Sequence, residues 1–297
     1  MQEPRVLISI VNWMNYWDTI ECVSLCKKQA YANIEIVVVD NGSVNESVQK
    51  IKNSHPDIKL IETGKNLGFA GGHKKAYHYC KSRNFGAMWL MNPDARIFPD
   101  TLVKLVEAYL KYGKNIYGSI TIDDKCRNLT IDQMPKGIAG FAIEKKEIND
   151  EKIFQTDFVS GASFFVPIKV FEKIGFISTK YFMYVEEVDF SYYAYRNNIF
   201  SYYVLDSKIM HEGEKSFEIS EQLKWLKTYY SIRNYIYFTL KIKKYPRRVI
   251  RINNGGMRAI IKNCLQKTDM KKRYHAIGVL HAYLGIMGRY FNPQRFL

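Results

Sequence analysis

Three acids stand within four positions in Phe182-Met183-Tyr184-Val185-Glu186-Glu187-Val188-Asp189-Phe190, among aromatic and apolar neighbours. Mutual repulsion and partial loss of water raise the pKa of at least one carboxyl in such a cluster, which suits a general base or a metal ligand. Acids at a helix start also complement its dipole, so one can face a ligand while another caps. Asp40 and Asp94 each follow an apolar run that reads as a buried strand, Ile34–Val39 and Ala87–Met91. In Asp40-Asn41-Gly42-Ser43 the carboxylate can cap the turn or accept hydrogen bonds from a pyrimidine ring N–H. Asp94, in Asn92-Pro93-Asp94, can cap or hold a divalent cation that bridges two phosphates, because Mg2+ and Mn2+ favour oxygen ligands. His211, following the β-like stretch Tyr202–Leu205, reads from its own surroundings as structural. Gly68, Gly71 and Gly72 can cradle a phosphate at a helix start, although turn duty is the commoner use of such glycines. The fingerprints GxGxxG, GxxxxGK[ST] and GxSxG do not occur.

These groups need a frame that brings them together. Arg5–Val11, Ile34–Val39, Ile58–Glu62 and Ala87–Met91 are short β-forming runs. Helical spacing separates them, over Asp18–Ala30, Val48–Asn53 and Asn66–Cys80. That alternation predicts an α/β fold with a mainly parallel sheet flanked by helices. Ligands bind beyond the carboxyl ends of such strands, where Val11-Asn12-Trp13, Asp40 and Asp94 fall. Ile116–Phe154 is less regular, with Gly137 and Gly140 suggesting loops. Phe158–Pro167 resumes strand character, and Ile168–Ile174 and Tyr184–Ile199 read as helices.

The 297 residues carry 44 Lys and Arg against 29 Asp and Glu, with 47% hydrophobic residues, figures that exclude disorder and a disulfide scaffold. Five Cys without a CxxC pair point to reduced thiols in the cytosol. No secretory leader and no membrane-spanning run is expected. Residues 241–297 hold 14 basic side chains and one acid, whereas 1–240 is nearly balanced. The division predicted is a catalytic domain over 1–240 and a basic, amphipathic, helical C-terminal appendage over 241–297. Positions 276, 280, 283, 284 and 287 share a helical face, which serves either adsorption to an anionic membrane surface or packing on the body. No nucleic-acid recognition motif accompanies the charge.

Taken in order, these segments resemble the family-2 glycosyltransferases of GT-A fold. The resemblance runs from Val6 to His211 through Ile8–Trp13, Val37–Ser43, Asn66–Gly72, Asn92-Pro93-Asp94, Gly161-Ala162, Tyr184–Asp189 and His211. It is nearest to bacterial rhamnosyltransferase-like and galactofuranosyltransferase-like members that build surface polysaccharides. The resemblance implies an inverting, metal-dependent enzyme that uses a nucleoside diphosphate sugar, dTDP-rhamnose or a UDP-hexose. The implied acceptor is a saccharide, in many members polyprenyl-diphosphate-linked, at the inner face of the plasma membrane. It places Val11 and Trp13 at the nucleobase, with Asp40 recognising the base and Asn66 near the nucleotide. Asn92-Pro93-Asp94 stands where the family has Asp-x-Asp, so Asn92 replaces an acid, and Asp94 with His211 holds Mg2+ or Mn2+. Glu187 falls where an Asp serves as base, with Glu186 and Asp189 as neighbouring candidates. The rival readings are a non-catalytic nucleotide-sugar or saccharide-binding protein and a basic nucleic-acid-binding protein.

Overall fold

The computed structural model describes residues 3–122, 152–211, 221–242, 260–265 and 268–293. The chain divides into two compact units, Met1–Ile177 with Glu187–Gly213, and Ser178–Glu186 with Glu214–Leu297.

The first unit opens with β1 (Val6–Asn12), α1 (Tyr16–Lys27), β2 (Ile34–Asp40), α2 (Ser47–Ser54), β3 (Lys59–Glu62), α3 (Gly68–Cys80) and β4 (Ala87–Met91). β5 (Ala95–Ile97), α4 (Thr101–Tyr112), β6 (Ile116–Ile122), β7 (Ile153–Thr156), β8 (Ser163–Pro167), α5 (Ile168–Ile174), α6 (Glu186–Tyr195) and β9 (Ser201–His211) follow. They build one sheet in the order β3-β2-β1-β4-β8-β6-β9-β5, with β7 on β9. The β3-β2-β1-β4 half is parallel, as the strand–helix alternation requires. Beyond it β8 runs antiparallel to β4 and β6, while β6 and β9 are parallel. The irregular stretch expected after Ile116 contains two strands, β6 and β7. Gly137 and Gly140 lie outside the described residues.

Period-two alternation along the strands feeds two cores. Val6, Ile8 and Ile10 face α1, α2 and α4 through Cys22, Val23, Ile51, Leu102 and Leu105. Leu7, Val37 and Val39 face the opposite layer, where α3, α5 and α6 contribute Ala70, Tyr77, Phe171 and Phe190. Ser9 interrupts this second face and hydrogen-bonds His73 Nδ1 at 2.8 Å, anchoring α3 on β1. Burial drops the His73 pKa to about 3, so this anchor is neutral at every physiological pH.

In the second unit α7 (Glu221–Ile242) and α8 (Met270–Leu284) pack together. Gly278 sets their spacing, since a Cβ there would sit 2.6 Å from Ile232 Cγ2 and 2.8 Å from the Tyr229 carbonyl. The buried face of α8 includes Tyr274, Gly278, His281 and Ala282. The expected stripe is only partly used, because Ala276 is buried and Leu284 is 63% exposed. Among the described residues no helix is long and apolar enough to cross a membrane.

The β2 end turns at Gly42, whose φ is +76° and whose Cβ would lie 2.4 Å from Lys65 Cα. Gly42→Ala is expected to cost roughly 1–3 kcal/mol, as a left-handed non-glycine residue forced against backbone. A lower denaturant midpoint at unchanged slope reports it.

Candidate functional site

The carboxyl ends of β1 and β2 pair Asn12 with Asp40. Asp40 is 2% exposed and both of its oxygens are engaged: Asn12 Nδ2 donates to Oδ1 at 2.7 Å, and the Ser43 N–H donates to Oδ2 at 3.0 Å. The orientation of Asn12 is not free, because its Oδ1 accepts from Thr19 Oγ1 at 2.9 Å. Ser43 Oγ in turn accepts from the Met14 N–H at 2.8 Å. Asp40 therefore does the capping work that its turn chemistry allows, with strand pairing placing it beside Val11 and Trp13. Val11 and Trp13 are both half-buried. The Trp13 Nε1–H is buried with no hydrogen-bond partner among the described residues, so it is a donor that a ligand oxygen can satisfy.

A second layer of amides continues from this turn. Asn41 Oδ1 accepts from the Leu67 N–H at 2.9 Å, while its Nδ2 donates to Asn66 Oδ1 at 3.2 Å and to the Gly68 carbonyl at 3.1 Å. Asn66 Oδ1 also accepts from the Gly68 N–H at 2.8 Å. Asn66 thus starts α3 from a buried position, and its oxygen is committed to the loop. Gly72 lets α3 approach β1 closely, since a Cβ there would meet Val11 Cγ1 at 2.8 Å. Within the glycine cluster Gly72 serves helix–strand packing, a Cβ at Gly71 would meet Leu67 Cβ at 2.7 Å, and Gly68 opens the helix in left-handed backbone at φ of 76°.

Asn92, Asp94 and His211 converge at the ends of β4 and β9. His211 Nε2 lies 3.2 Å from Asp94 Oδ1 and 3.2 Å from Asn92 Nδ2. The β5–β9 pairing of Ala95 with His211 brings the histidine there. A neutral imidazole accepts the Asn92 N–H through the same Nε2 lone pair that it would give to a metal. One carboxylate oxygen and one imidazole nitrogen suit Mn2+ at least as well as Mg2+ and leave coordination positions for phosphate oxygens. The pair fits a cation that also binds diphosphate. Among the described residues no group of three or more His, Cys, Asp or Glu side chains forms a self-sufficient metal site.

The acid cluster begins α6. Glu186 and Asp189 are 3% and 2% exposed, whereas Glu187 keeps part of its surface open. Of the three, Glu187 alone is not fully buried as a residue. Burial of its carboxyl pushes the Glu187 pKa above its ordinary value. Tyr203 on β9 feels the Glu187 charge, and its phenol, raised chiefly by burial to about 12, stays protonated. The Tyr203 oxygen accepts the Ser160 N–H at 3.3 Å, and Asn92 N–H donates to the Ala162 carbonyl at 3.4 Å. The Ser160–Ala162 turn thereby touches both the Tyr203 phenol and the end of β4. The chain enters α6 through Phe182, Tyr184 and Val185 at φ of 71°, 66° and 75°. Left-handed backbone at non-glycine residues, a β-branched one included, costs about 1–3 kcal/mol apiece and concentrates at functional sites.

Asn12, Asn41 and Ser43 were not singled out in the sequence, although a polar residue closing an apolar strand opposite Asp40 is a usable signal. Tyr203 carried none, being one aromatic among several in its strand. A surface depression of about 700 Å³ lies elsewhere, at the amino ends of β2 and β3, bordered by Lys27, Tyr31, Glu35, Asp57, Lys59 and Tyr79. It contains none of the predicted residues. The strand-end geometry and its chemistry point away from it, since a phosphorylated ligand needs the opposite, carboxyl-terminal edge of the sheet.

Residues 10–175 match glycosyl transferase family 2. The low-salt glycan biosynthesis hexosyltransferase Agl10 of Haloferax volcanii is 30% identical over 183 residues, which is 58% of this chain and 58% of that protein. The chain thus spans under two thirds of that relative. N-acetylglucosaminyl-diphospho-decaprenol L-rhamnosyltransferase of Mycobacterium tuberculosis is 22% identical over 211 residues, 62% of this chain and 68% of that protein. Among solved structures, a mannosyltransferase from Pyrobaculum calidifontis in complex with GDP-Man and Mn2+ superposes with a TM-score of 0.62 at 12% identity, covering 96% of this chain and 87% of that one. GalNAc-T7 with UDP, GalNAc and Mn2+ superposes at 0.59 and 13% identity, covering 96% of this chain and 57% of that one. These structural likenesses show the fold, which is GT-A, as the sequence led one to expect.

The raised Glu187 pKa has a consequence for stability. A carboxyl whose folded-state pKa lies above its unfolded one contributes stability below the unfolded value, and this is lost as pH rises through the folded value. Glu187→Gln is therefore expected to melt higher than the parent at pH 7–8, with the gain vanishing near pH 4, as thermal denaturation across pH will report.

Proposed function

The chain belongs to glycosyl transferase family 2, and we propose that it transfers a hexose or 6-deoxyhexose from a nucleoside diphosphate sugar to a saccharide hydroxyl with inversion. The observation that carries this reading is the meeting of Asn92 and His211, 119 positions apart, with Asp94 in the same cluster. It supports a diphosphate-binding centre at the strand ends, beyond which Val11, Trp13 and Asp40 border the base and Asn66 shapes the nucleotide loop. Asp94 and His211 would hold Mg2+ or Mn2+, which when bound supplies Lewis acidity to the leaving diphosphate.

Glu187 takes the acceptor hydroxyl proton on its carboxylate. As the proton leaves, the acceptor oxygen forms its bond to the anomeric carbon from the face opposite the diphosphate. The bond between that carbon and the diphosphate oxygen breaks, the nucleoside diphosphate carries away the electron pair, and a single displacement inverts the centre. A raised pKa strengthens Glu187 as a base, while placing its acid limb above the ordinary carboxylate range. The names of the Haloferax and mycobacterial relatives support a hexosyl or rhamnosyl donor, and the mycobacterial name alone supports a polyprenyl-diphosphate-linked acceptor. The rival, a nucleotide-sugar-binding protein without turnover, draws on Asn92 standing where the family has an acid.

We assign catalysis to 1–240 and membrane adsorption to the basic appendage 241–297, which would hold the enzyme at an anionic cytoplasmic surface. Exposed Lys271 and Lys272 near the start of α8 support this, with Leu284 63% and Tyr290 54% exposed.

One assay separates enzyme from binder: release of nucleoside diphosphate from dTDP-rhamnose, UDP-galactofuranose and UDP-hexoses, with a synthetic polyprenyl-diphosphate saccharide and Mn2+. The parent should turn over at least one donor, EDTA should abolish turnover, and Mn2+ or Mg2+ should restore it. Glu187→Gln should lower kcat by about 10²–10⁴-fold. Donor binding without turnover by the parent would favour the rival, and full activity in chelator would remove Asp94 and His211 from their roles. For the appendage, Lys271→Glu with Lys272→Glu should reduce co-sedimentation with phosphatidylglycerol vesicles. Unchanged sedimentation would place any membrane contact elsewhere.

A further inference from the structure

The helix α7 is lined by apolar and aromatic residues on its buried face, yet Arg233 and Asn234 stand in the middle of that face at 0% exposure. A buried guanidinium and amide are expensive unless every donor is used, so what they bind is informative.

Asn234 Nδ2 donates to the carbonyls of Met183 at 2.6 Å, Tyr184 at 2.9 Å and Tyr181 at 3.0 Å. Its amide cannot flip without loss, because Oδ1 accepts from Arg233 Nε at 2.9 Å. Arg233 adds Nη2 to the Tyr181 carbonyl and Nη1 to the Gly288 carbonyl, both at 2.7 Å. Its charge rests over the rings of Tyr229 and Tyr230, at 5.3 and 4.8 Å. The Gly288 N–H closes the arrangement on the Lys180 carbonyl at 2.7 Å.

Every main-chain acceptor taken by Asn234 lies in the stretch that turns left-handed at Phe182, Tyr184 and Val185. Such a stretch satisfies its carbonyls neither by helix nor by sheet, and without outside donors it would relax toward ordinary backbone. The next residues along the chain are Glu186 and Glu187, which open α6. The direction in which α6 starts, and so the position of the Glu187 carboxylate, is covalently tied to this stretch.

We propose that Asn234, oriented by Arg233, is a positioning residue for transfer: it locks the left-handed approach to α6 and so places the Glu187 carboxylate against the acceptor hydroxyl. This rests on the reading of Glu187 as the base. A group acting only on placement of the base changes the chemical step and leaves donor binding alone, and a displacement of about 1 Å can cost on the order of 10²-fold.

The test compares kcat with the KM for the donor in the nucleoside-diphosphate release assay, using the full chain. Asn234→Ala should lower kcat by about 10–100-fold and leave the donor KM within about twofold of the parent, the split expected when only the transition state is affected. Arg233→Lys, which keeps the charge but cannot span the same carbonyls, should show a smaller loss of the same kind. Should Asn234→Ala fail to fold, Asn234→Ser keeps one donor and carries the same comparison. Val279→Ala, a buried truncation in α8 away from the stretch, is the control for general destabilisation and should keep the parental kcat. Parental kcat in a folded Asn234→Ala or Asn234→Ser overturns the proposal, as does an equal loss in the control. Glu187→Gln run alongside separates the two failures: if it is inactive while Asn234→Ala is unaffected, only the positioning role falls. If Glu187→Gln itself turns over normally, the base assignment falls and takes the positioning role with it.

Discussion

The hydrogen bond from Asn12 to Asp40 is the contact on which the functional edge of the sheet depends. A carboxylate at 2% exposure is tolerated only with its lone pairs engaged, and Asn12 with the Ser43 N–H meets that demand. The consequences spread in both directions. Thr19 orients Asn12 from α1, and Ser43 ties back to Met14, so the ends of β1 and β2 and the start of α1 form one polar lattice. From the neighbouring Asn41 the lattice reaches Asn66 and the first turn of α3. Loops joined in this way are held by hydrogen bonds made within the protein itself.

The polar groups of the first unit fall into two sets. Asp40, Asn41 and Asn66 have their hydrogen-bonding capacity largely spent within the protein, and they build. His211, Asp94 and Glu187 are left with capacity for something else. His211 Nε2 lies 3.2 Å from both the Asp94 carboxylate oxygen and the Asn92 amide nitrogen, and a cation between the imidazole nitrogen and the carboxylate would be bound by both. Glu187 is the least buried residue of an acid cluster whose other two members are fully buried, and its carboxyl is nonetheless desolvated. The desolvation that raises its pKa also makes it a better proton acceptor once ionised. The stability lost at neutral pH and the basicity gained come from the same burial.

The second unit uses polar burial differently. Arg233 has neutral carbonyls, an amide oxygen and tyrosine rings around its charge. Asn234, which Arg233 orients, takes the Met183 and Tyr184 carbonyls within Phe182–Val185, a stretch no local preference would choose. Strain of this kind persists only where surrounding contacts over-determine it.

Hydrophobic alternation and strand–helix spacing made the β3-β2-β1-β4 half of the sheet legible, because period-two burial and βα connections are local properties of the chain. The strand-end acids were legible too, since a carboxylate after an apolar run has few places to go. The strands β6 and β7 were obscured by a polar stretch between them, and β5, three residues long, lacks enough residues to show a period. What sequence could not settle was the division of labour: whether Asp40 caps, whether His211 meets Asp94, which of three adjacent acids is least buried. Those answers depend on strand register, such as Asn12 on Asp40 and Ala95 on His211, and on which helix face is covered. Composition and local pattern thus determined the architecture and the list of chemically able residues. Tertiary packing alone decided which of them are spent on structure, because the energy of a polar group is set by partners distant in the chain.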